Sequence, residues 1–491
     1  MAEPPGERSR PDHPRADRPR TRGPRADRPR ADPARSAAFE LLRAVDADDA
    51  YANLVWPRIL AAHRLEGRDA AFATELGYGA LRWRGRHDAI LAACVDRGLG
   101  SVEPALLDAL RLGVHQVHAM RVPEHAAVDT TVSLVRARVH AGAAGFANAV
   151  LRRVVRGGDA EAWLAALVAE GRLPALADDP AGHLAVTTSH PAWIVRAGHD
   201  ALAASEPART WADTSTALLA DNRAATVTLV ARSLARDALL EELHEAGVEA
   251  EPGRWSRLAV RVAATDPGRV AAVATGAAGV QDEGSQVVAL ALADAPLAGP
   301  DTRWLDLCAG PGGKAALLAA AVADRGGSLT AVELHPHRAQ LVRNALRPIR
   351  GRHEVVVGDA LTAPLEGGFD RVLVDAPCTG LGALRRRPES RWRRRAEDLP
   401  ELTALQRRLL ARALELVRPG GLVLYATCSP HLAETDAVIG DVHRHGGAVL
   451  PLGAVPGLAL PPAAVADRAL RLWPHVHDTD GMFAALIRRE A

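Results

Sequence analysis

Trp304-Leu-Asp-Leu-Cys-Ala-Gly-Pro-Gly-Gly-Lys314 is the most informative segment of this 491-residue chain. A short apolar run ends near an acidic residue, a glycine-rich turn follows, and residues 315–323 have the composition of a helix. This order of strand, tight loop and helix predicts the first unit of a nucleotide-binding α/β sheet. Glycines let the loop backbone approach a ligand closely, and the first N–H groups of the helix are free to bind it.

Two common nucleotide-binding loops fit this segment poorly. A phosphate-binding P-loop needs glycine at position 308 and serine or threonine at position 315, but the chain has Cys308 and Ala315 there. The dinucleotide fingerprint G-x-G-x-x-G begins at Gly310 and lacks its third glycine, because Ala315 occupies that place. The sequence therefore favours an adenosine-containing ligand without a pyrophosphate.

Lys314 is the one lysine among the 60 lysine and arginine residues of the chain. Arginine serves as the cation everywhere else, which indicates that this position needs a compact ammonium rather than a broad guanidinium. The alternative is that a single lysine stands here by chance.

Composition and charge limit the class of protein. The length predicts about two to four domains, and 48% hydrophobic residues are typical of a globular protein. The net charge of +1 means that nucleic-acid contacts must come from local basic patches. Four cysteines without C-x-x-C spacing, and a start without signal-peptide features, predict a cytoplasmic protein. We also expect a monomer. We expect no metal site, and no membrane partner because no apolar run reaches about 18 residues.

The composition changes along the chain and predicts four regions. Residues 1–34 are rich in proline and arginine and twice contain Pro-Arg-Ala-Asp-Arg-Pro-Arg, which predicts a disordered arm that either adds RNA affinity or acts as a spacer. Apolar residues at helical spacing then predict an all-helical domain over 35–160. Short strand and helix patterns predict a linker with a small α+β region over 161–275, and the α/β domain that contains the glycine loop follows over 276–491.

Acidic residues end two of the predicted strands of the α/β domain. Strand 328–332 runs into Glu333, about twenty residues beyond the glycine turn, where a carboxylate is placed to bind both ribose hydroxyls of a nucleoside. Strand 354–357 is followed by Asp359, which we expect to accept a hydrogen bond from the adenine amino group. The segment 279–286 is expected to border the ligand loop, although its polar residues equally suit a helix cap.

Two cysteines follow two further buried strands. Strand 369–375 ends at Asp375 and opens on Ala-Pro-Cys378, and strand 421–426 opens on Thr-Cys428-Ser. Open α/β sheets bind ligands at the carboxyl ends of their parallel strands, so both thiols are expected at the ligand edge.

Three motifs, Cys308-Ala-Gly-Pro-Gly-Gly-Lys314, Asp375-Ala-Pro-Cys378 and Thr427-Cys428-Ser429, resemble in this order the RNA cytosine-5 methyltransferases that use S-adenosylmethionine. Residues 68–83 (RDAAFATELGYGALRW), 122–130 (VPEHAAVDT) and 144–153 (AGFANAVLRR) resemble the NusB-like RNA-binding module. Together they are similar to the RsmB (Sun or Fmu) type of 16S ribosomal RNA cytosine-5 methyltransferase over residues 36–490. Two departures are Gly310, where alanine is common, and Glu333, where aspartate is usual.

This resemblance implies an all-α NusB-like domain followed by an α/β Rossmann-like class I domain of seven strands that binds S-adenosylmethionine. It implies that Cys428 is the nucleophile, that Cys378 assists release, and that Asp375 contacts the ring nitrogen. Lys314 is expected close to both thiols, where it would favour the thiolate. The expected cofactor-binding residues are Cys308, Ala309, Gly310, Pro311, Gly312, Gly313, Lys314, Glu333, Arg338, Asp359 and Asp375.

The residue types suit this chemistry. Carbon 5 of cytosine is a poor nucleophile, so a thiolate must first add to the neighbouring ring carbon, and a second cysteine or a base that it orders can help to remove the proton afterwards.

One alternative function is that of a DNA cytosine methyltransferase, in which Cys378 would attack. Another is a non-catalytic RNA-binding or assembly factor. The expected substrate is an unpaired cytosine in 16S ribosomal RNA, free or within a small-subunit assembly particle.

Basic clusters predict where RNA binds. Residues 385–395 hold seven arginines around Trp392 directly after the second motif, and we expect them to contact phosphates and stack on an unpaired base. Arg152, Arg153 and Arg156 lie on neighbouring helical turns and form a second candidate contact. Solvated charge is the alternative for both clusters.

Overall fold

The computed structural model describes Met1 and residues 32–490 apart from 207, 264–266, 459, 461–463 and 467. Most of the arm predicted for residues 1–34 lies outside the described residues. Helix α1 begins at Pro33, where the Asp32 carboxylate caps the helix by accepting the backbone N–H of Arg35 at 2.8 Å. Within the described residues no helix is long and apolar enough to cross a membrane.

The N-terminal domain is all-helical, as the sequence predicted. Its helices are α1 (Pro33–Ala47), α2 (Ala52–Ala62), α3 (Gly67–Arg82), α4 (Arg84–Cys94), α5 (Pro104–His118), α6 (Glu124–Arg138) and α7 (Ala144–Arg156). Helix α5 is central and contacts α1, α3, α4, α6 and α7, so that the apolar faces of these helices share one core.

Helix α7 shows how the sequence pattern produces a two-sided element. Leu151 and Val154 are buried in the domain core, three residues apart on one face. The side chains of Arg152, Arg153 and Arg156 lie exposed on the other face. Arg153 is 3.1 Å from Asp96, whose side chain is itself 91% exposed, so this ion pair leaves the basic face open to solvent.

A middle region follows. It contains α8 (Ala160–Ala169), α9 (Pro180–Thr187), α10 (Ala192–Ser205) and α11 (Trp211–Ala220). Next comes an antiparallel sheet in the order β2-β3-β1-β4. Its elements are β1 (Val227–Ala231), α12 (Arg236–Glu245), β2 (Ala250–Pro252), β3 (Ala259–Val262), α13 (Ala271–Thr275) and β4 (Ala278–Val280). Leu239 and Leu243 of α12 pack with apolar residues of this sheet.

The C-terminal domain is built on a larger mixed sheet. Its elements are α14 (Glu283–Asp294), β5 (Arg303–Asp306), α15 (Gly313–Ala323), β6 (Ser328–Glu333), α16 (Pro336–Leu346), β7 (Arg352–Val357), β8 (Phe369–Asp375), α17 (Ser390–Arg393), α18 (Leu399–Leu416), β9 (Val417–Thr427), α19 (Asp436–Ile439), β10 (Gly447–Leu450), β11 (Val465–Ala466), β12 (Ala469–Leu472), α20 (Pro474–His477) and β13 (Met482–Arg489). The strand order is β11-β12-β13-β9-β8-β5-β6-β7, and β10 pairs with β13.

The expected count of seven strands is wrong, since this sheet has nine strands within the described residues. Strands β10 and β11, of four and two residues, are too short to give a clear pattern in the sequence. The five strands β5 to β9 are parallel, and β13 runs antiparallel to β9. Leu373 faces the core beneath α14 and α15, whereas Val372 and Val374 face the core that contains α18. Burial on both faces explains the continuous apolar runs of the parallel strands.

The order in which successive strands are added to the sheet reverses at β5, because β6 lies on one side of β5 and β8 on the other. Crevices that bind ligands form outside the carboxyl ends of the strands at such a reversal. The loop between β5 and α15, residues 307–312, therefore opens into the crevice at the sheet edge.

The interpretation of residues 385–395 as an RNA-binding surface is wrong for four of their arginines. Arg385 is buried and lies 2.8 Å from Asp478, and Arg386 lies 2.9 Å from Asp282. Arg391 and Arg393 donate to backbone carbonyls of other segments. Carboxylates and backbone carbonyls far away in the sequence thus bind arginines that the local sequence suggests are solvated.

Arg391 joins the two domains. Its guanidinium is fully buried and donates from Nη1 to the carbonyls of Arg82 and Ser189, at 3.2 and 3.0 Å, and to Asn222 Oδ1 at 2.7 Å. Burial lowers the pKa of Arg391 to about 10, so it stays charged at neutral pH. The N–H of Ala52, at the start of α2, donates to Glu389 Oε1 at 3.0 Å. The segment that follows Cys378 is therefore part of the interface between the domains.

Replacing Arg391 by leucine is expected to loosen this interface and lower the stability of the protein. The change leaves buried carbonyls without donors, at a cost of about 1–3 kcal/mol for each unsatisfied group. The midpoint of urea unfolding should fall, and Arg408→Leu, at an exposed site on α18, should change the free energy of unfolding by about 0.5 kcal/mol or less. Equal midpoints for the two variants would contradict the inference that Arg391 stabilises the interface between the domains.

Candidate active site

The ends of the five parallel strands bring the predicted site residues to one edge of the sheet. The glycine loop follows β5, Glu333 ends β6, and Asp359 follows β7 by two residues. Asp375 ends β8, and Cys428 comes directly after β9. This convergence is a property of parallel strands and follows from their order in the sheet.

Lys314 and Asp375 form an ion pair at the centre of this edge. The distance from Lys314 Nζ to Asp375 Oδ2 is 2.7 Å, and the two side chains are 11% and 28% exposed. Burial opposes the charged form of Lys314, but the attraction and hydrogen bond of Asp375 outweigh it and raise the pKa of the ammonium. Lys314 therefore remains a cation inside the site.

The two cysteines lie together. Cys378 Sγ is 3.5 Å from Cys428 Sγ, which places them in hydrogen-bond contact. The hydrogen bond from Cys378 lowers the pKa of Cys428 against burial and the negative charge of Asp375, and the positive charges of Lys314 and Arg387 support the lowering. The same hydrogen bond, together with burial and the negative charge of Glu434, raises the pKa of Cys378. The pair thus favours a thiolate at Cys428 and a thiol at Cys378.

A buried carboxylate beneath the glycine loop was missed by sequence reasoning. Asp306 Oδ1 accepts the N–H of Cys308 at 3.3 Å, while Oδ2 has no hydrogen-bond partner among the described residues. Burial, with Asp375 nearby, raises the pKa of Asp306 to about 7. Burial and the surrounding carboxylates likewise raise the pKa of Cys308 well above its usual range, so this thiol stays protonated. The acidic end of the strand was visible in the sequence, but its burial was not.

Glu333, at the end of β6, lies opposite Gly310 of the glycine loop. Glu333 is buried, and its Oε1 accepts the N–H of His335 at 3.0 Å. A Cβ atom at Gly310 would lie 2.1 Å from Glu333 Oε2, so the longer glutamate occupies the space of an alanine methyl. Arg338 Nη2 donates to the Gly310 carbonyl at 2.7 Å and lies 3.8 Å from Glu333 Oε2. The two departures from the family pattern are therefore complementary in shape.

The rest of the glycine loop is fixed by backbone contacts. Ala309 N–H donates to the carbonyl of Val332 at 2.9 Å. This bond joins the glycine loop to β6 two residues before Pro311. Gly312 has φ of +106°, and a Cβ there would approach Val342 Cα of α16 to 2.9 Å. Only glycine allows this conformation and this packing without strain.

The neighbours of the loop also lie as predicted. A Cβ at Gly313 would lie 3.3 Å from the Gln281 side chain, so segment 279–286 does border the loop. Asp282 of the same segment caps α14 by accepting the N–H of Gly284 at 2.8 Å, so the cap interpretation holds as well. Asp359 is exposed and accepts the N–H of Leu361 at 2.9 Å.

A glycine loop at the reversal point and acidic side chains at the adjacent strand ends form an arrangement that class I methyltransferase domains share with other nucleoside-binding α/β domains. Residues 294–488 match the family model described as 16S rRNA methyltransferase RsmB/F, and residues 32–156 match that of the NusB family. The chain belongs to the RsmB/F family of 16S rRNA methyltransferases. It is an rRNA methyltransferase that depends on S-adenosylmethionine, and its helical domain is NusB-like.

Similar proteins span nearly the whole chain. A putative methyltransferase of Mycobacterium tuberculosis is 49% identical over 463 residues, which cover 93% of this chain and 97% of the relative. The ribosomal RNA small subunit methyltransferase B of Pseudomonas putida is 33% identical, over 82% of this chain and 87% of the relative. The crystal structure of PH0851 has the same fold, with a TM-score of 0.74 and 23% identity over 93% of this chain and 98% of that chain.

The complementarity of Gly310 and Glu333 predicts a rescue. Gly310→Ala should weaken binding of S-adenosylmethionine, because the added methyl group displaces the Glu333 carboxylate, and such overpacking costs about 1–3 kcal/mol. The double variant with Glu333→Asp should recover most of the affinity, since the shorter side chain vacates that space. Isothermal titration calorimetry measures both.

Gly358→Ala is the matched control, since a Cβ there meets nothing within 4 Å at the end of the neighbouring strand β7. Its affinity should equal that of the unchanged protein. If the double variant binds as weakly as Gly310→Ala, steric conflict with Glu333 is not the cause.

Proposed function

We propose that the chain methylates carbon 5 of a cytosine in 16S ribosomal RNA through a covalent adduct with Cys428. The observation that supports this proposal is the contact of the two thiols, 3.5 Å apart, at the strand ends that also hold the Lys314–Asp375 ion pair. A scaffold protein has no use for two reactive thiols beside a buried ammonium.

Cys428 is the better nucleophile of the two because its pKa is lowered. Its thiolate adds to the ring carbon next to carbon 5, and the electron pair of the ring double bond moves towards carbon 5. Asp375 binds the edge of the base at its ring nitrogen, which takes up a proton from solvent as the thiolate adds and donates it to the carboxylate in a hydrogen bond. Lys314 holds Asp375 in place. S-Adenosylmethionine, when bound, supplies the methyl group to the activated carbon 5.

Cys378 serves the second half of the cycle. Once Cys428 is bonded to the ring it is no longer an anion, so the main cause that keeps Cys378 protonated is removed. Cys378, or a base that it orders, then takes the proton from carbon 5. The electrons of that C–H bond re-form the ring double bond, and Cys428 leaves as a thiolate.

Residues on both domains are placed to bind the RNA. Arg387 is exposed near the thiols, and its guanidinium carbon lies 5.6 Å from the centre of the Tyr51 ring in the helical domain. Arg152, Arg153 and Arg156 supply the exposed basic face of α7. Phosphate contacts of this kind give affinity, while an unpaired cytosine enters the cleft at the sheet edge.

Bisulfite sequencing of ribosomal RNA from cells with and without the gene tests the proposed function. One cytosine of 16S rRNA should lose its 5-methyl mark in the deletion strain. Purified protein should then restore the mark on naked rRNA or on small-subunit particles, and comparing the two identifies the substrate. An unchanged methylation map in the deletion strain would contradict the proposal.

The roles of the two cysteines are separable by trapping. Cys428→Ala should abolish methyl transfer and form no adduct, because no thiolate adds to the ring. Cys378→Ala should still add and methylate but release slowly, so that protein and RNA accumulate as a covalent complex. Denaturing gel electrophoresis with labelled rRNA detects it. An adduct with Cys428→Ala, and none with Cys378→Ala, would exchange the roles and support the DNA-type mechanism.

The pH dependence tests the charges around Cys428. The thiolate attacks, so the rate of adduct formation should rise as pH rises through the pKa of Cys428, which lies below its usual value of 9.0. Arg387→Gln removes a cation that lowers this pKa, and the rising limb should shift to higher pH. Arg395→Gln, also exposed, should not shift it. An equal loss of rate at every pH would mean that Arg387 acts only in RNA binding.

A further inference from the structure

Glu434 is a fully buried carboxylate next to the site that neither the sequence motifs nor the proposed mechanism uses. It lies in a short turn, Leu432–Glu434, six residues after Cys428. Oε1 accepts the N–H of Thr379 at 2.8 Å and Nε2 of Gln406 at 3.1 Å. Oε2 accepts the hydroxyls of Thr379 at 2.5 Å and Ser429 at 2.6 Å. Four donors thus offset the cost of burying the charge.

These donors flank the two thiols. Thr379 follows Cys378, and Ser429 follows Cys428. Gln406 Nε2 also donates to the Pro377 carbonyl at 2.8 Å, on the other side of Cys378. One carboxylate therefore holds both cysteine loops, directly on each side and through Gln406.

The sheet itself does not reach the thiols. The register of β8 with β9 ends at Asp375 and Ala426, and the last backbone bond runs from Ala376 N–H to the Ala426 carbonyl at 2.9 Å. Beyond this point one backbone contact joins the loops, from Gly382 N–H to the Cys428 carbonyl at 2.9 Å. The Sγ–Sγ distance of 3.5 Å must therefore be set largely by side-chain contacts, of which the four to Glu434 are the most extensive.

The charges around the thiol pair are arranged asymmetrically. Glu434 binds the Cys378 loop through both the N–H and the hydroxyl of Thr379, but the Cys428 loop through the Ser429 hydroxyl alone. The hydrogen bond with Cys428 raises the pKa of Cys378, and the negative charge of Glu434 adds to this effect. Tyr425 donates its hydroxyl to the Glu434 carbonyl at 2.8 Å. Lys314 and Arg387 act on Cys428 with positive charge, against the negative charge of Asp375. A fixed anion behind Cys378 opposes its ionisation, and so favours the thiolate on the other sulfur.

We propose that Glu434 is a positioning residue that holds the two cysteine loops at reacting distance and sets a fixed negative charge beside the Cys378 loop. The proposal rests on the proposed two-cysteine cycle. Glu434 itself contacts neither substrate nor cofactor, and acts through Thr379 and Ser429.

Glu434→Gln is the most informative change. The amide keeps the size of the side chain but removes the charge and turns an NH2 group towards donors that need an acceptor. We expect kcat to fall about 100-fold, the effect of misplacing reacting groups by about 1 Å, while KM for rRNA and the affinity for S-adenosylmethionine stay within about twofold.

Alkylation of the thiols by iodoacetamide in the folded protein measures the pH dependence of each thiol's reactivity. A residue with only a structural role would not change this pH dependence. Mass spectrometry follows Cys428 and Cys378 separately over a range of pH. In the unchanged protein Cys428 should react at lower pH than Cys378. In Glu434→Gln the alkylation profile of Cys378 should move to lower pH, so that the profiles of the two thiols lie closer together on the pH scale.

Asp436→Asn is the matched control, since this carboxylate lies two residues away and pairs with Arg471 instead of the cysteine loops. Its kcat and alkylation profiles should be unchanged. Thr379→Val and Ser429→Ala each remove one hydroxyl donor and leave the carboxylate its remaining donors. They should give partial losses of kcat, and they keep the proposal testable if Glu434→Gln does not fold.

Two results would overturn the proposal. One is a Glu434→Gln protein with normal kcat and unchanged alkylation profiles. The other is a Glu434→Gln protein whose melting temperature and kcat are lowered while the alkylation profiles of Cys428 and Cys378 keep their order and their difference in pH. That result would mean that Glu434 has only a structural role. If the unchanged protein makes no 5-methylcytosine, the proposed function fails, but the alkylation profiles still decide whether Glu434 controls the thiols.

Discussion

The ion pair between Lys314 and Asp375 is the constraint on which the site depends. An ammonium that is 11% exposed can stay charged only beside an anion, so the start of α15 must lie against the end of β8. The glycine loop makes this approach possible, because a side chain at Gly312 would collide with α16. The same ion pair acts on Cys428 with both charges, since Asp375 raises the pKa of this thiol and Lys314 lowers it. The glycine loop, the Asp375 carboxylate and the Cys428 thiol are thereby fixed in one geometry.

The helical domain is built into the same geometry. The chain leaves Cys378, passes through the pairs of Arg385 and Arg386, and buries Arg391 among carbonyls that include Arg82 of the helical domain. Glu389 meanwhile caps the start of α2. A buried guanidinium with directional acceptors tolerates little displacement, so the NusB-like domain is held at a fixed position near the active site instead of hanging from a flexible linker.

The strand ends could be read from the sequence because parallel strands buried on both faces are continuous apolar runs, and their carboxyl ends share one edge. Glu333, Asp359 and the two cysteines were placed in this way. Partners distant in sequence could not be read: Asp478 stands 93 residues beyond Arg385, and nothing local shows that this arginine is buried. Glu434 was missed for the same reason, because its donors come from three separate segments. Strands of two to four residues carry too few positions to show a period.

Two identical thiols 3.5 Å apart pose an electrostatic problem, since two adjacent anions repel and only one of them ionises readily. The hydrogen bond between the thiols lowers the pKa of Cys428 and raises that of Cys378. Nearby charges add to the difference: Lys314 and Arg387 lower the pKa of Cys428 against the charge of Asp375, and the Glu434 carboxylate raises the pKa of Cys378. In the proposed cycle this preference changes, because a bond from Cys428 to carbon would remove the anion that keeps its neighbour protonated. The proposed order of attack and proton removal then follows from which sulfur carries the charge.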